Sequence, residues 1–391
     1  MLLRTLRLIR RQIVMALVLF IALVSGVTSA ESLRACIGAS LDRILTSEAR
    51  REGPRVYIKA EDKVRDFDSI TELKMMTYNV LNLMRKKGKF MTDPATGKVS
   101  QILPEIAKTS EHFEQQANII LKADSDIVAL QEVEDIQSLN SFNTLVLGNT
   151  YKSILIPGND GRGIDVGFLV KKDLPFDIEV LSHREILNSN GGKVFSRDVP
   201  VLHFRKKGAD EKAHPFMTIV GVHLKSKRDR PGDPESKMKR QEEVDALVEI
   251  ISDQQRQYGD KHLILTMGDF NGDLRKDDVL EKIRQGFADT LSLMQGRLSP
   301  AEASEFEKNR VTQSFFPDGR PTQYSQFDGL CIANKAVCDG LMKSSEVISY
   351  ESSSGGKKPL PTSYAEREQD PSDHRPVSAV LDFTKILSSK K

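Results

Sequence analysis

The 391-residue sequence has no tryptophan, three cysteines and only 6% aromatic residues. So few aromatics argue against a base-stacking platform of the single-strand-binding type. Three cysteines without a close C-x-x-C pair exclude a disulfide-dense scaffold and a zinc knuckle. The main hydrophobic run, residues 13–27, is shorter than the roughly 20 residues that cross a bilayer comfortably. Excess charge of one sign is missing too: 57 Lys and Arg face 55 Asp and Glu. Four of those basic residues, Arg4, Arg7, Arg10 and Arg11, lie in the first thirty positions, which carry no acid, so the remainder is slightly acidic. No bulk basic field remains to draw in nucleic acid, and an anionic substrate must be held by local groups. What is present is 39% hydrophobic and 29% charged, the composition of a soluble globular chain long enough for a sizeable core.

The N-terminus reads as an address. A basic start, an apolar run and small residues at Thr28 and Ala30 fit a signal peptide over 1–30, cleaved after Ala30. The alternative is an uncleaved anchor. Either places the mature protein outside the cytoplasm, secreted or periplasmic, where disulfides persist. Cys331 and Cys338 then form a candidate pair across a tight turn, with free thiols as the alternative.

Residues 31–70 read as an N-terminal extension that docks on the domain or links to it, with a short amphipathic helix over 40–51. The main domain is expected over 71–386, with 387–391 as a tail. Strand-like runs recur at LKMMTYNVLNL, DIVALQEV, YKSILIP, IDVGFLVKK, VPVLHFRKK, HPFMTIVGVHLKSK, KHLILTMGDFNGD, FDGLCIAN and SDHRPVSAVLDF. Helical patterns occupy 104–123 and 238–256. Residues 84–101 read as a basic, turn-rich loop. Strands and helices alternate, then strands run in sequence, which describes a mixed-sheet α/β domain of two packed sheets with helices outside.

Polar residues close the apolar strands. Asn79 ends LKMMTYN, Glu132 ends DIVALQE, His223 follows FMTIVGV, Asp269 and Asn271 follow HLILTMG, and Asp373-His374 precedes PVSAVLDF. A strand end is where a rigid scaffold presents a carboxylate or imidazole to a cleft. Each taken alone could be a turn residue or a cap; five such ends are hard to explain as core filler. Carboxylates, amides and imidazoles without thiolates suit hard cations, Mg²⁺, Mn²⁺ or Ca²⁺, rather than zinc.

TYNVLNL, LQEVED, VGVHLKSK, MGDFNGD and SDHRPV, in this order over about residues 73–384, resemble the successive signatures of the endonuclease/exonuclease/phosphatase superfamily, in a secreted, bacterial-type branch. The resemblance implies a four-layer α/β sandwich and phosphoester hydrolysis with Mg²⁺ or Mn²⁺ (Ca²⁺ as a further option). It implies Glu132 as main metal ligand, with Asn79 and Asp373 beside it. Asp269 would orient or deprotonate the attacking water, and Asn271 would bond the phosphate or Asp269. His374 would donate to the phosphoryl oxygens, with Asp328 fixing its ring. His223 would contact the phosphate or assist the leaving group, with Asp165 as its orienting acid. A carboxylate beside each histidine would raise its pKa and keep it cationic. Arg162 and Arg197 are candidate phosphate contacts, since guanidinium forks match phosphate oxygens; the plain alternative is surface charge. Leu81 stands where some relatives carry a second acid, and Gly329 where they often carry a larger residue.

The reading is a metal-dependent phosphodiesterase, foremost a nuclease, expected as a monomer with no protein partner. The basic segments 85–89 and 225–228 are possible backbone clamps. A sphingomyelinase-like or small-molecule phosphoesterase stays open, although Phe315-Phe316-Pro317, the nearest thing to a membrane loop, reads as core or a loop anchor. A catalytically inactive binding protein of the same fold is the reading of another class, disfavoured because every expected site residue is present.

Overall fold

A computed structural model describes residues 54–83, 90–92, 99–101, 110–317, 319–333, 340–352 and 355–388. The expected signal peptide, the helix over 40–51, the basic segment 85–89 and Cys338 lie outside them.

In chain order the described elements begin with strand β1 (Arg55–Ile58), β2 (Glu72–Leu83), the small hairpin β3 (Phe90–Thr92) and β4 (Val99–Gln101), and helix α1 (Ser110–Ala123). There follow β5 (Ile127–Val133), α2 (Ile136–Leu145), β6 (Tyr151–Leu155), β7 (Asp165–Lys171), β8 (Phe176–Leu181), β9 (Val201–Lys206) and β10 (Met217–His223). The long helix α3 (Lys237–Tyr258) leads to β11 (Leu263–Asp269), α4 (Glu281–Gly286), β12 (Ala288–Asp289), α5 (Thr290–Gln295) and α6 (Pro300–Lys308). The chain closes with β13 (Gln313–Phe315), β14 (Gln323–Ser325), β15 (Asp328–Ile332), β16 (Met342–Val347), α7 (Tyr364–Arg367), β17 (Val377–Asp382) and α8 (Phe383–Ser388).

Two mixed sheets carry the fold. One has seven strands in the order β1-β8-β9-β10-β11-β15-β12, the other six in the order β16-β17-β2-β5-β7-β6. Each contains one parallel pair, β10 with β11 and β2 with β5. Parallel neighbours need a crossover, and α3 and α1 lie on those two connections. Leu73, Met75, Phe168, Phe176, Leu265 and Met267 pack between the sheets. Val244, Leu247, Ile250 and Ile251 of α3 share an outer core with Val220 and Val222, and Ala117 and Ile120 of α1 share another with Tyr78 and Leu130. Helix, sheet, sheet and helix make the four-layer α/β sandwich.

Several boundaries differ from the sequence reading. β1 pairs with β8 and Phe67 is buried in the inter-sheet core, so residues 54–70 belong to the domain rather than to a linker. Phe67 meets Phe176, Phe216 and Phe383 edge-on, at centroid distances of 6.0, 5.7 and 5.3 Å. α8 continues to Ser388, with Ile386 buried, past the expected start of the tail. The β3–β4 pairing falls inside the segment read as a loop, where short strands among Lys, Gly and Thr carry too little periodicity to detect. Cys331 is a free thiol buried on β15. No helix among the described residues is long and apolar enough to cross a membrane.

Candidate active site

The period of two along a strand decides where the polar residues point. In β2, Leu73 and Met75 face the other sheet, whereas Met76, Tyr78 and Val80 face the helices. Asn79 shares the parity of Leu73. His223 likewise shares the parity of Met217 and Ile219, Asp269 that of Leu265 and Met267, and Asp328 that of Leu330 and Ile332. The inter-sheet core therefore continues, at the C-terminal ends of the parallel strands, into a polar cluster. Register aligns it: His223 is the Cα partner of Asp269, and Asp269 that of Asp328.

Glu132 has the wrong parity, since Val128 and Leu130 face the helices. A register shift between Gln131 and Val133, with Glu132 at φ +66°, turns its side chain into the cleft instead. Asn271 sits at φ +49°. Left-handed backbone at two non-glycine site residues is strain that the surrounding fold must hold in place.

Asp269 is the hub. Its Oδ1 accepts the Asn271 main-chain N–H at 2.7 Å. Its Oδ2 accepts Asn79 Nδ2 and Asn271 Nδ2, each at 3.1 Å, and lies 3.6 Å from His223 Nε2 and 4.0 Å from His374 Nε2. Burial pushes the Asp269 carboxyl up to about 7, with the His374 charge opposing and the Asp328 charge adding. His374 Nδ1 is 2.7 Å from Asp328 Oδ2. Burial would lower its pKa, but Asp328 and Asp269 outweigh burial and hold it well above the ordinary imidazole value, so His374 is cationic at neutral pH.

His223 behaves in the opposite way. Burial lowers its pKa well below the ordinary value, and Arg197 and Arg162 add to the effect. Its buried Nδ1 has no hydrogen-bond partner, so the expected pairing with Asp165 is not formed. The Asp165 carboxylate turns elsewhere: its Oδ1 accepts the Gly158 N–H at 2.7 Å. His223 is therefore neutral, contrary to the sequence expectation.

Glu132, His223, Asp269, Asn271, Asp373 and His374 all line one open cleft of about 1370 Å³. The pattern of the endonuclease/exonuclease/phosphatase family matches residues 76–374. The chain belongs to that family. Its members are phosphoester hydrolases that use divalent metal ions. Truncated TDP2 from Caenorhabditis elegans is similar in structure, at 18% identity and a TM-score of 0.51, over 80% of this chain and 98% of that one. A second structure of C. elegans TDP2 gives 18% identity and a TM-score of 0.50, over 82% and 77% of the two chains. No curated protein matches in sequence.

The donor set fits the family's divalent ion. Neither the Glu132 nor the Asp373 carboxylate accepts a hydrogen bond from a described residue; the neutral His223 ring lies beside Glu132, with Nε2 4.0 Å away. Two carboxylates without donors in one cleft are what a hard cation needs. The Asn79 side-chain oxygen accepts the Leu81 N–H at 3.1 Å, while its amide nitrogen reaches Asp269. Ligand-type atoms of Asp269, Asp328 and His374 also lie within 4.8 Å of one another. We favour the first group, because in the second His374 is cationic and already hydrogen-bonded to Asp328.

Arg162 and Arg197 reach the cleft beside Glu132, but not as free forks. Arg162 clasps Asp160 at 3.1 and 3.0 Å, and Arg197, only 4% exposed, pairs with the same carboxylate at 3.0 Å. Surface charge is thus ruled out for Arg197. Asp160 was missed because N-D-G reads as an ordinary turn. Thr312 was missed as well: its Oγ1 accepts the main-chain N–H groups of Phe327 and Asp328 at 2.9 and 3.0 Å and so fixes Asp328. No local signal ties it to a residue sixteen positions away. Phe315, read as core or a loop anchor, is half-exposed on the β13–β14 hairpin and lines the cleft with Tyr324 and Tyr364. At Gly329 a Cβ would stand 2.5 Å from Leu274 Cδ1, so Leu274 occupies the room a larger residue would need.

Proposed function

We propose that this family member is an exported, metal-dependent phosphodiesterase that hydrolyses nucleic-acid phosphodiesters by in-line attack of water. The single observation that carries the reading is the pairing of two donor-free carboxylates, Glu132 and Asp373, with a cationic His374 around Asp269 in one cleft. A divalent ion held by Glu132 and Asp373, with Asn79 adjoining, would neutralise charge on the phosphoryl group. His374 donates to a non-bridging phosphoryl oxygen and grows stronger as a donor as charge develops there. Asp269 accepts the proton of the attacking water as the new O–P bond forms and the leaving oxygen departs. The Asn271 N–H and the amides of Asn79 and Asn271 keep that carboxylate from rotating. His223, neutral and 3.6 Å from Asp269, would contact the phosphate or assist the leaving group.

The walls of the cleft support a nucleic-acid substrate. Lys276 and Arg320 line the cleft as cations, Phe315 and Tyr324 as rings against which a base would pack, and Arg367 lies 4.7 Å over the Tyr364 ring. Of the expected clamp at 225–228, Lys227 is already paired with Asp277 at 2.7 Å, which leaves Lys225 and Arg228.

The deciding experiment incubates the protein with circular plasmid, structured RNA, sphingomyelin and bis(p-nitrophenyl) phosphate, with Mg²⁺ or with EDTA. Plasmid or RNA cleavage that EDTA abolishes, and that Asp269→Ala and His374→Ala each remove with the fold retained, is expected. Turnover of sphingomyelin alone would replace the nuclease reading by the lipid one. Silence on every substrate with Mg²⁺, Mn²⁺ and Ca²⁺ each tried would favour the inactive binding protein. Export is tested separately: the protein recovered outside the cytoplasm should begin at Glu31, and a retained Met1 would indicate an anchor.

A further inference from the structure

A second pocket of about 430 Å³ opens beside the cleft, and its lining is strongly cationic. Seven of its thirteen lining residues are Lys or Arg, and one, Asp160, is acidic. In a chain of near-neutral charge this concentration is local and built. Three loops converge to make it, at 159–162, 193–197 and 225–230, and Lys239 of α3 closes one side.

The pocket is short of counter-charge. Asp160 is shared between Arg162 and Arg197, each 3.0 Å away. Lys193 pairs with Glu185, and Lys239 with Glu242 at 2.6 Å. Lys225, Arg228 and Arg230 have no carboxylate partner among the described residues; Lys225 Nζ reaches only Ser226 O and Oγ, at 3.3 and 3.4 Å. Burial, and then the charges of Arg197, Arg162 and Arg230, depress Lys225 below the ordinary lysine value, even though Glu243 works the other way. The cluster lacks an anion that the fold itself does not provide.

Arg162, Arg197, Ser226 and Arg228 line both this pocket and the cleft. We propose that the side pocket binds a second phosphate of the substrate, next to the one being hydrolysed. The inference rests on the phosphodiesterase reading and adds to it a requirement for two phosphates. Several guanidinium groups with a lysine suit a tetrahedral oxyanion better than a carboxylate, which offers only two oxygens. The volume accommodates the phosphate together with the sugar that carries it. The second phosphate belongs either to the neighbouring backbone position of a nucleic acid or to a bisphosphorylated small molecule. Contacts made equally before and during the reaction act on KM rather than kcat.

The test compares kcat and KM for bis(p-nitrophenyl) phosphate, for dithymidine monophosphate with and without a terminal phosphate, and for a cyclic sugar phosphodiester with and without a second phosphate. Wild-type protein is expected to favour a two-phosphate ester over its one-phosphate counterpart by about tenfold, through KM. Arg230→Ala combined with Lys193→Ala, both exposed at the rim, should bring that ratio close to unity. Preference for the phosphorylated dinucleotide assigns the pocket to a backbone phosphate; preference for the phosphorylated sugar diester assigns it to a small molecule. A ratio unchanged in the double variant, or an equal fall on all esters through kcat, overturns the proposal. If no ester is turned over, the phosphodiesterase reading fails by itself, and calorimetric titration with inorganic pyrophosphate decides the pocket. Weakening by about fivefold in the double variant supports it; equal binding or no binding overturns it.

Discussion

His374 Nδ1 lies 2.7 Å from Asp328 Oδ2, and Asp328 in turn hangs by its main-chain N–H from Thr312 Oγ1 at 3.0 Å. The pair fixes the ring so that Nε2 faces Asp269, 4.0 Å away. Asp328 is a positioning residue: it touches the reacting phosphate only through His374.

Its substitution should therefore appear first in the pH profile. With Asp328→Asn, burial is opposed by Asp269 and, more weakly, by Asp373, and the His374 pKa falls. The cation is then lost at lower pH, so the basic limb of the activity profile moves down, and the rate above neutral pH drops by about a hundredfold. Below the ordinary imidazole pKa the loss is smaller. The stability side has the same sign. A raised folded-state pKa contributes stability below the unfolded value of about 6.5 that is lost as pH rises through the folded value. A pH profile that merely scales down, with its basic limb in place, would show that Asp328 does not act through His374.

Glu132→Gln separates the two candidate ion positions. Glu132 accepts no hydrogen bond from a described residue, so the amide should cost the fold little. Wild-type protein should melt at higher temperature with Mg²⁺ or Mn²⁺ than with EDTA, because an ion bound only to the folded state stabilises it. Glu132→Gln should lose that increment, and Asp328→Asn should keep it. The reverse pattern would put the ion among Asp269, Asp328 and His374.

Much of this site was legible because strand periodicity and strand ends are local features. Asn79, His223 and Asp269 close hydrophobic runs with unbroken parity, and the sheet carries them to one place; Asp328, which opens its strand, came only from the family resemblance. Glu132 was read as a strand end in the same way, but its direction depends on a bulge that the residue pattern does not announce. Asp165 was assigned to His223 through the family resemblance, and its carboxylate is taken by the Gly158 N–H instead. The domain start was misplaced because RVYI is a four-residue edge strand, too short to signal itself, whose pairing with β8 is decided more than a hundred positions later. Asp160 and Thr312 are visible only once distant loops meet.

Gly268, in the motif before Asp269, is fixed by space. Its φ is +153°, and a Cβ there would stand 1.9 Å from the Val222 carbonyl oxygen, in the pairing of β10 with β11. A backbone atom cannot swing aside as a side chain can. Gly268→Ala should cost about 3 kcal/mol or more of unfolding free energy in urea. It should also shift the adjacent Asp269 and His223 and reduce activity beyond what the lost stability explains. An unchanged urea midpoint would contradict the close approach.

Asp198 offers a stability test outside the chemistry. It is 1% exposed, and its Oδ1 accepts the N–H groups of His183 and Val199 at 2.7 and 2.8 Å. Burial pushes its carboxyl up to about 6; the Ser182 hydroxyl and the two N–H groups oppose the shift, and Asp165 adds to it. The unfolded chain releases this proton near pH ~3.9 and the folded chain near the higher value, so the folded state holds the extra proton in between. Stability therefore falls as pH rises through that window, by about 3 kcal/mol at most, and stays lowered above it. Asp198→Asn keeps the accepting oxygen and removes the ionisation. The variant should be more stable than wild type above the folded pKa, with the advantage fading as pH falls toward the unfolded value. Urea midpoints measured at the two ends of the window check this, and an advantage of equal size at both ends would show that the charge of Asp198 is not its cause.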